Sequence, residues 1–368
     1  MPAVRILVCA SEAPRAPLNG SRLVLYELLK RLAAHDDVVV HALRWPDQDG
    51  PPPDGIELHE VPIAPLRSRV ARLRALALRE PVDVRRLAAP FENIDTRGFD
   101  VAHVMLGSLA GIELDVPAVI APLDAWHLNV RAEAERATGV ERWWRRAQEH
   151  AVRRWEARAY RPFEAVVFVT DEDAREVARL DPSLNVVTIP NGVDAERFAP
   201  PPGGERSGVL FTGALDAPAN EAAALRLIER IMPLVRREIP DAELRIVGRN
   251  PGPRLPDAIA NVPDLRPYLW SAAAYACPME SGTGIKNKLL EAMAAGVPAV
   301  ATPLAMQGIR TEHVFVADSD EAFAAALVHT LRDPGARAEL ARAYVHENHS
   351  WDAVAQAYRA LYERIARR

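Results

Sequence analysis

Cysteine is almost absent from this chain, with only Cys9 and Cys277 in 368 residues. Each stands in an apolar, strand-like run, which excludes a disulfide framework and points to two free, buried, structural thiols. No cluster of His and Cys has metal-ligand spacing. No run reaches 18 apolar residues, so no membrane-spanning helix is expected. The start, MPAVRILVCASEAP, has a short apolar run without a charged region before it, so no signal peptide is expected and the location implied is cytoplasmic. A net charge of -5 gives no global attraction to nucleic acid. Neither GxSxG nor GxxxxGK[ST] occurs, and no GxGxxG follows the first strand, which removes the usual signature of a nucleotide-binding oxidoreductase.

What is present is ordinary globular composition, 49% hydrophobic and 26% charged, in a chain too long for one core. Short Val- and Ile-rich runs alternate with helix-period segments, the pattern of parallel sheets with crossover helices, and imply an α/β fold with two Rossmann-like, doubly wound domains. Strands are expected at 4–11, 38–45, 100–106, 117–123, 165–170 and 185–190, and then at 208–215, 243–249, 273–278, 298–303 and 314–317. The Pro- and Gly-rich stretch FAPPPGGERSG (198–208) reads as an interdomain linker. In IPNGVDAERF, Asn191 and Gly192 read as left-handed turn residues at the domain crossing. The expected domains are 1–188, 189–350 and a C-terminal helical segment 351–368.

Ligands of open α/β sheets bind at the carboxyl ends of strands, so loops after strands carry the candidate sites. After the first strand, Asn19 and Gly20 precede a helix, and a glycine there lets backbone approach a phosphate. The alternative for Ser21 is a simple N-cap. In SGTGIKNKLLEAMAAG, Gly282 and Gly284 offer backbone N–H groups at a helix N-terminus, while Lys286 and Lys288 add charge. Glu291 lies seven residues beyond Gly284, roughly 8 to 10 Å at helical rise, the separation between a distal phosphate and a ribose diol. A carboxylate can accept from both ribose hydroxyls. Arg249 ends another strand and can stand beside the same diphosphate. In the first half, Asp124 and His127 follow the strand at 117–123 and are candidates for catalysis. The triplets Asp171-Glu172-Asp173 and Asp318-Ser319-Asp320 resemble metal-diphosphate sites, but each precedes a helix and capping explains both. No metal and no cofactor are implied. The Arg-rich segment 65–86, seven Arg against two acids, reads as a solvated helix face or as a peripheral membrane contact.

Five stretches taken together, PLNGSRLVLYELLKRLAAH, VVTIPNGVDAERFAP, VLFTGALDAPANEAA, ELRIVGRNPGP and GTGIKNKLLEAMAAGVPAVATPLAMQGI, resemble the bacterial GT-B glycosyltransferases of the family 4 type. Within them the chain looks most like the sugar transferases of exopolysaccharide and exosortase-type clusters. The resemblance implies retaining transfer from a nucleotide-diphosphate sugar, UDP-linked or similar, as co-substrate. It implies two domains facing across a cleft, the acceptor on the first and the donor on the second, with the C-terminal helix returning to the first. The acceptor class is a glycan, a lipid-linked molecule or a small natural product, and nucleic acid is not a partner. The donor-binding set comprises Asn19, Gly20, Gly213, Arg249, Gly282, Thr283, Gly284, Ile285, Lys286, Asn287, Lys288 and Glu291, with Glu291 matching the family's ribose-binding glutamate. Such enzymes are thought to react on the donor's front face, the leaving phosphate oxygen helping to take the acceptor proton.

Three departures stand out. Thr283 replaces the family's earlier glutamate, with Glu280 a substitute. FTGALDAPAN lacks the Arg and Lys that many members carry there. Met105 replaces a frequent histidine, which shifts weight to Asp124 and His127. A sugar-nucleotide 2-epimerase on the same fold and a catalytically silent nucleotide-sugar-binding protein are the alternatives.

Overall fold

The computed structural model describes residues 3–16, 18, 20–63, 75, 78–333 and 335–367. The chain divides into two compact units, residues 1–190 with 351–368, and residues 191–350.

In the first unit the strands are β1 (Arg5–Ala10), β2 (Asp37–Arg44), β3 (Glu57–Pro62), β4 (Val101–Met105), β5 (Ala118–Leu123), β6 (Ala165–Phe168) and β7 (Val186–Thr188). All pair in parallel in the order β3-β2-β1-β4-β5-β6-β7. The order reverses between β1 and β4. Central strands are buried along their length, which is why they read as continuous apolar runs. β3, ELHEVP, was not among the expected strands. It is the edge strand, mostly exposed, and its polar residues face water.

Helices of this unit include α1 (Gly20–Leu32), α2 (Val84–Ala88), α3 (Trp126–Arg136), α4 (Gly139–Ala159) and α5 (Asp171–Leu180), and the chain returns to it at its C-terminus. In the second unit run α6 (Ala195–Phe198), α7 (Pro218–Arg226), α8 (Met232–Glu238), α9 (Arg266–Trp270), α10 (Asn287–Ala294), α11 (Asp320–Arg332) and α12 (Arg337–Asn348). The returning helix is α13 (Trp351–Ala366). It buries Tyr358 and Tyr362 against His103 of β4, whose Nδ1 is 2.6 Å from the Tyr362 hydroxyl. Arg359 pairs with fully buried Asp36 at 2.8 Å, and Arg31 of α1 pairs with Asp352 at 2.6 Å. Burial pushes the His103 imidazole down to about 4, so it is a neutral core histidine.

The second unit holds β8 (Ser207–Ala214), β9 (Leu244–Arg249), β10 (Ile259–Ala260), β11 (Ala272–Cys277), β12 (Ala299–Ala301) and β13 (Phe315–Val316), parallel in the order β10-β9-β8-β11-β12-β13. This is the doubly wound order, reversing between β8 and β11. The two-residue edge strand β10 was also not foreseen, because two residues carry no periodicity. Phe198–Gly208 lies inside this unit, leading from α6 into β8, so it is not the interdomain linker expected from its composition. The chain crosses instead at 190/191 and 350/351. Neither Asn191 nor Gly192 has positive φ, contrary to the turn reading. Instead the Asn191 carbonyl accepts from His349 at 3.1 Å and Val193 N–H donates to the His349 carbonyl at 2.7 Å, which fixes the two crossings beside each other.

Cys9 and Cys277 are both free and fully buried. Among the described residues no helix is long and apolar enough to cross a membrane.

Candidate functional site

The switch point of the second sheet falls between the carboxyl ends of β8 and β11, where a doubly wound sheet leaves a crevice. At the end of β8 stands Gly213. A Cβ there would lie 3.2 Å from both the Asn220 carboxamide and the Lys288 ammonium, so glycine makes room for these two heads. Its neighbour across the ladder, Gly248, is held more tightly, since a Cβ would come within 1.9 Å of the Gly213 carbonyl oxygen. Arg249 follows on the β9 end, paired in register with Ala214 and 3.7 Å from Asp216.

From the end of β11 the chain enters the loop 278–286. Gly282 and Gly284 have φ of 107° and 67°, conformations that side chains disfavour, so the loop curls tightly. Inside the curl lies buried Lys286. Its Nζ donates to the carbonyls of Gly282, Thr283 and Gly284 at 3.2, 2.9 and 2.7 Å. An ammonium has three donors. Lys286 therefore closes the loop on itself, with its ammonium held by these carbonyls. Ile285 is buried beside it.

Helix α10 begins at Asn287, three residues later than the phosphate-to-ribose spacing assumed. From Asn287 to Glu291 the helical rise is about 6 Å. The first intrahelical acceptor is the Lys286 carbonyl, which takes Leu289 N–H at 2.8 Å, so the amides of the opening residues lack intrahelical partners. Asn287 accepts at its Oδ1 from Asn191 Nδ2 at 3.0 Å.

Lys288 and Glu291 lie three residues apart on one face of α10. Lys288 reaches back to β8, donating to Asn220 Oδ1 and resting 5.1 Å from the centroid of the Phe211 ring. Asn220 in turn donates to the Ala214 carbonyl at 2.9 Å. The segment after β8 lacks its own cation, and α10 supplies one there. Burial pushes Lys288 down to about 8. Burial pushes Glu291 up to about 7, opposed by the positive charges of Lys288 and of Arg197 on α6. The Glu291 carboxyl makes no hydrogen bond or ion pair among the described residues. A half-buried carboxyl without a protein partner, flanked by two cations, is poised for a ligand that brings its own donors.

Thr283 contributes its carbonyl to Lys286. Glu280 sits 3.5 Å from Arg226 and 3.8 Å from Arg230, engaged by two arginines. Buried Arg226 also holds Asp320 at 2.8 Å and the carbonyls of Pro278 and Asp318, tying the loop after β11 to the one after β13. The two acidic triplets stand at helix starts: Asp171, Glu172 and Asp173 form the first turn of α5 behind the cap Thr170, and Ser319 of the second triplet is itself the cap of α11. Thr170 accepts from Asp173 N–H at 3.1 Å, and Ser319 accepts from Ala322 N–H at 3.2 Å.

In the first unit, Asn19 lies outside the described residues. Gly20 opens α1 with φ of 46°, exposed, with nothing within 4 Å of a Cβ. Ser21 lies within the helix and donates to Glu12 rather than capping. Asp124 follows Leu123, a non-glycine residue at φ 72°. His127 is buried, 1% exposed, on the first turn of α3. Its Nδ1 is 2.5 Å from Glu156 of α4, which is fully buried. Of the 65–86 segment, residues 65–74, 76 and 77 lie outside the described residues. In the remainder Arg85 pairs with Glu80 and Arg86 with Asp83.

Sequence reading missed Asn220, Arg197, Arg226 and Glu156. The last carried a signal, since it falls at helical spacing from Val152 on the buried stripe of α4.

Residues 18–197 match the family described as Glycosyltransferase Family 4, and residues 206–333 match the one described as Glycosyl transferases group 1. The chain belongs to the family 4 glycosyltransferases of the GT-B type. Among curated relatives, a phosphatidyl-myo-inositol mannosyltransferase of Mycolicibacterium smegmatis is 32% identical over 207 residues, covering 50% of this chain and 53% of that one. The chain thus spans about half the length of the curated relatives it matches. Among solved structures, a sucrose-phosphate synthase from Thermosynechococcus elongatus has a TM-score of 0.72 at 14% identity, covering 98% of each chain. A structure titled as trehalose-6-phosphate from E. coli bound with UDP-2-fluoro glucose has a TM-score of 0.64 at 12% identity, covering 98% and 99%. At these identities the likeness concerns the fold, two Rossmann-like units of the GT-B kind.

Proposed function

We propose that this family 4 chain is a glycosyltransferase that takes a sugar from a nucleotide-diphosphate donor bound at the end of the β8–β11 sheet. The observation that carries the reading is Glu291, a half-buried carboxyl without a hydrogen-bond partner among the described residues, on the helix whose N-terminus opens toward the loop 282–286. In this reading Glu291 accepts hydrogen bonds from the ribose diol. The opening amides of α10, the Lys288 ammonium and Arg249 take the diphosphate, with charge-assisted hydrogen bonds doing so without a divalent metal. Retention follows the front-face course, in which a leaving phosphate oxygen takes the acceptor proton, so that the negative charge developing on the diphosphate falls where Lys288 lies.

The acceptor is a hydroxyl of a glycan, a lipid-linked molecule or a small natural product, in line with the exopolysaccharide-type resemblance. The mycobacterial relative is named for mannosyl transfer to phosphatidyl-myo-inositol. A mannosyl donor and a polyol-bearing lipid acceptor are therefore the first pair to assay. The Arg-rich segment 65–86 remains a proposed peripheral membrane contact at the cytoplasmic face.

A thermal-shift screen against nucleotide sugars, repeated with Glu291→Ala, tests the donor site, because a ligand at 100 times its Kd adds about 2.7 kcal/mol of apparent stability. Loss of about 1 to 3 kcal/mol of donor binding in the variant is expected. Unchanged affinity would remove the ribose assignment. Incubation of the best donor with candidate acceptors, with and without chelator, then reads transfer by mass spectrometry. Retained transfer with chelator is expected. A donor that isomerises without forming a glycoside would identify an epimerase instead.

A further inference from the structure

Three N–H donors converge on one buried carboxylate in the first unit. Glu156 Oε1 accepts from Trp126 N–H at 2.8 Å, and Oε2 accepts from His127 N–H at 3.3 Å and lies 2.5 Å from His127 Nδ1. We propose that Glu156 is the positioning residue of His127, locking the imidazole with Nδ1 protonated so that Nε2 presents a lone pair to a hydroxyl of the acceptor. The inference rests on the transferase reading, which is what brings such a hydroxyl to this strand end.

The first reason is stoichiometric. Capping α3 needs acceptors only for the backbone amides of its first turn. The neighbouring Ala125 N–H already has Asp173 Oδ1 at 3.3 Å, and the two backbone bonds to Glu156 would complete such a cap. The imidazole bond goes beyond it. Because a carboxylate only accepts, the proton between Glu156 and Nδ1 belongs to the imidazole, and neutral imidazole then has its lone pair on Nε2.

The second reason is the free nitrogen. His127 is 1% exposed, yet Nε2 has no hydrogen-bond partner among the described residues. His103 offers the contrast within the same sheet. Its Nε2 is likewise orphaned, but its ring is stacked on Tyr358 at 5.2 Å inside the core, with its Nδ1 beside a tyrosine hydroxyl. His127 instead stands just beyond a strand end, four residues after Leu123 at φ 72°. Non-glycine residues hold such a conformation only where the surroundings over-determine it. Between them, the Leu123 turn aims the chain segment and Glu156 fixes the ring.

The test separates positioning from mere capping. In 15N spectra of histidine-labelled wild type without substrate, His127 is expected as the Nδ1-protonated tautomer. Glu156→Gln should convert it to a mixture and cut turnover at least tenfold while nucleotide-sugar affinity changes less than twofold, since Glu156 is not among the residues proposed above to hold the donor. A second variant, His127→Asn, places an amide N–H near the position of Nδ1–H, which keeps Glu156 satisfied and the fold intact. It removes Nε2, so turnover should again fall at least tenfold with Tm nearly unchanged. The proposal is overturned if wild-type His127 is protonated at Nε2, or if folded His127→Asn retains full turnover. Wild type that binds nucleotide sugar and shows the Nδ1 tautomer but transfers to no acceptor would instead count against the transferase reading.

Discussion

The ammonium of Lys288 stands 5.1 Å from the centroid of the Phe211 ring, although one residue belongs to α10 and the other to β8. The contact carries a cation from the helix to the strand end, where Gly213 leaves it space beside Asn220. Two residues earlier, Lys286 is turned inward onto its own loop. These two lysines have the same chemistry, and their environments give them different tasks.

The first consequence is a difference between the two lysine variants. Lys286→Met leaves three loop carbonyls without their donor and is expected to cost about 1 to 3 kcal/mol of stability. Lys288→Met removes a charge that burial already disfavours and should leave Tm nearly unchanged while weakening nucleotide-sugar binding at least tenfold. Thermal unfolding and calorimetric titration of both variants check this. Equal effects on Tm would refute the division.

A second concerns pH. Glu291 is raised to about 7 and Lys288 lowered to about 8, both chiefly by burial. Below about pH 7 Glu291 gains a proton and loses its charged acceptor, and above about pH 8 Lys288 loses its cation. Affinity for a nucleotide sugar is thus expected to peak between the two and fall on either side. The ligand's own diphosphate diester does not titrate in that window. The linkage to unliganded stability has the opposite shape. The raised Glu291 contributes stability below its unfolded value of 4.5 that is lost as pH rises through about 7. The lowered Lys288 contributes above its unfolded value of 10.5 what is lost as pH falls through about 8. Glu291→Gln should flatten the acid limb of binding and leave the alkaline limb. Titrations from pH 5.5 to 9.5 decide it.

A third prediction addresses the strand ends. Gly248→Ala would set a methyl 1.9 Å from the Gly213 carbonyl, and backbone cannot yield there without breaking the β8–β9 ladder. A loss of at least about 1 to 3 kcal/mol is expected, the scale of overpacking. Nucleotide-sugar binding should fall in parallel, because Gly213 would be displaced from Lys288. Denaturant unfolding gives the first quantity and thermal shift with ligand the second.

Arg226 supplies a fourth. Arg226→Ala leaves Asp320 with Arg230 alone and frees the loops after β11 and β13, for an expected cost of about 1 to 3 kcal/mol. Lysine at this position should not restore it, since one ammonium cannot reproduce the guanidinium fork. Chemical denaturation of both variants measures the difference.

The parallel strands of both cores were legible because strands covered on both faces must be apolar along their length, as ILVCA and VLF are. β3 and β10 were not, because edge positions tolerate polar residues and very short pairings. At the candidate donor site the glycines, the helix and Glu291 could be read from local spacing. Lys286 and Lys288 could not be told apart, since nothing within KNK says which side chain turns inward. Glu156 was visible only as a polar residue on a buried helical stripe, and its partner lies 29 residues earlier in the chain.

The sequence by itself determined the α/β class, the strand-loop-helix segment that ends in Glu291, and the family to which the chain belongs. Each of these depends on short-range pattern, on periodicity and on turn chemistry that neighbouring residues impose on one another. Tertiary structure alone decided that Lys288 reaches Phe211 and Asn220, that Lys286 is sealed by carbonyls, and that Glu156 meets His127. Such pairings depend on how helices pack over strand ends, and the burial that shifts Glu291 and Lys288 toward neutrality exists only once that packing is complete.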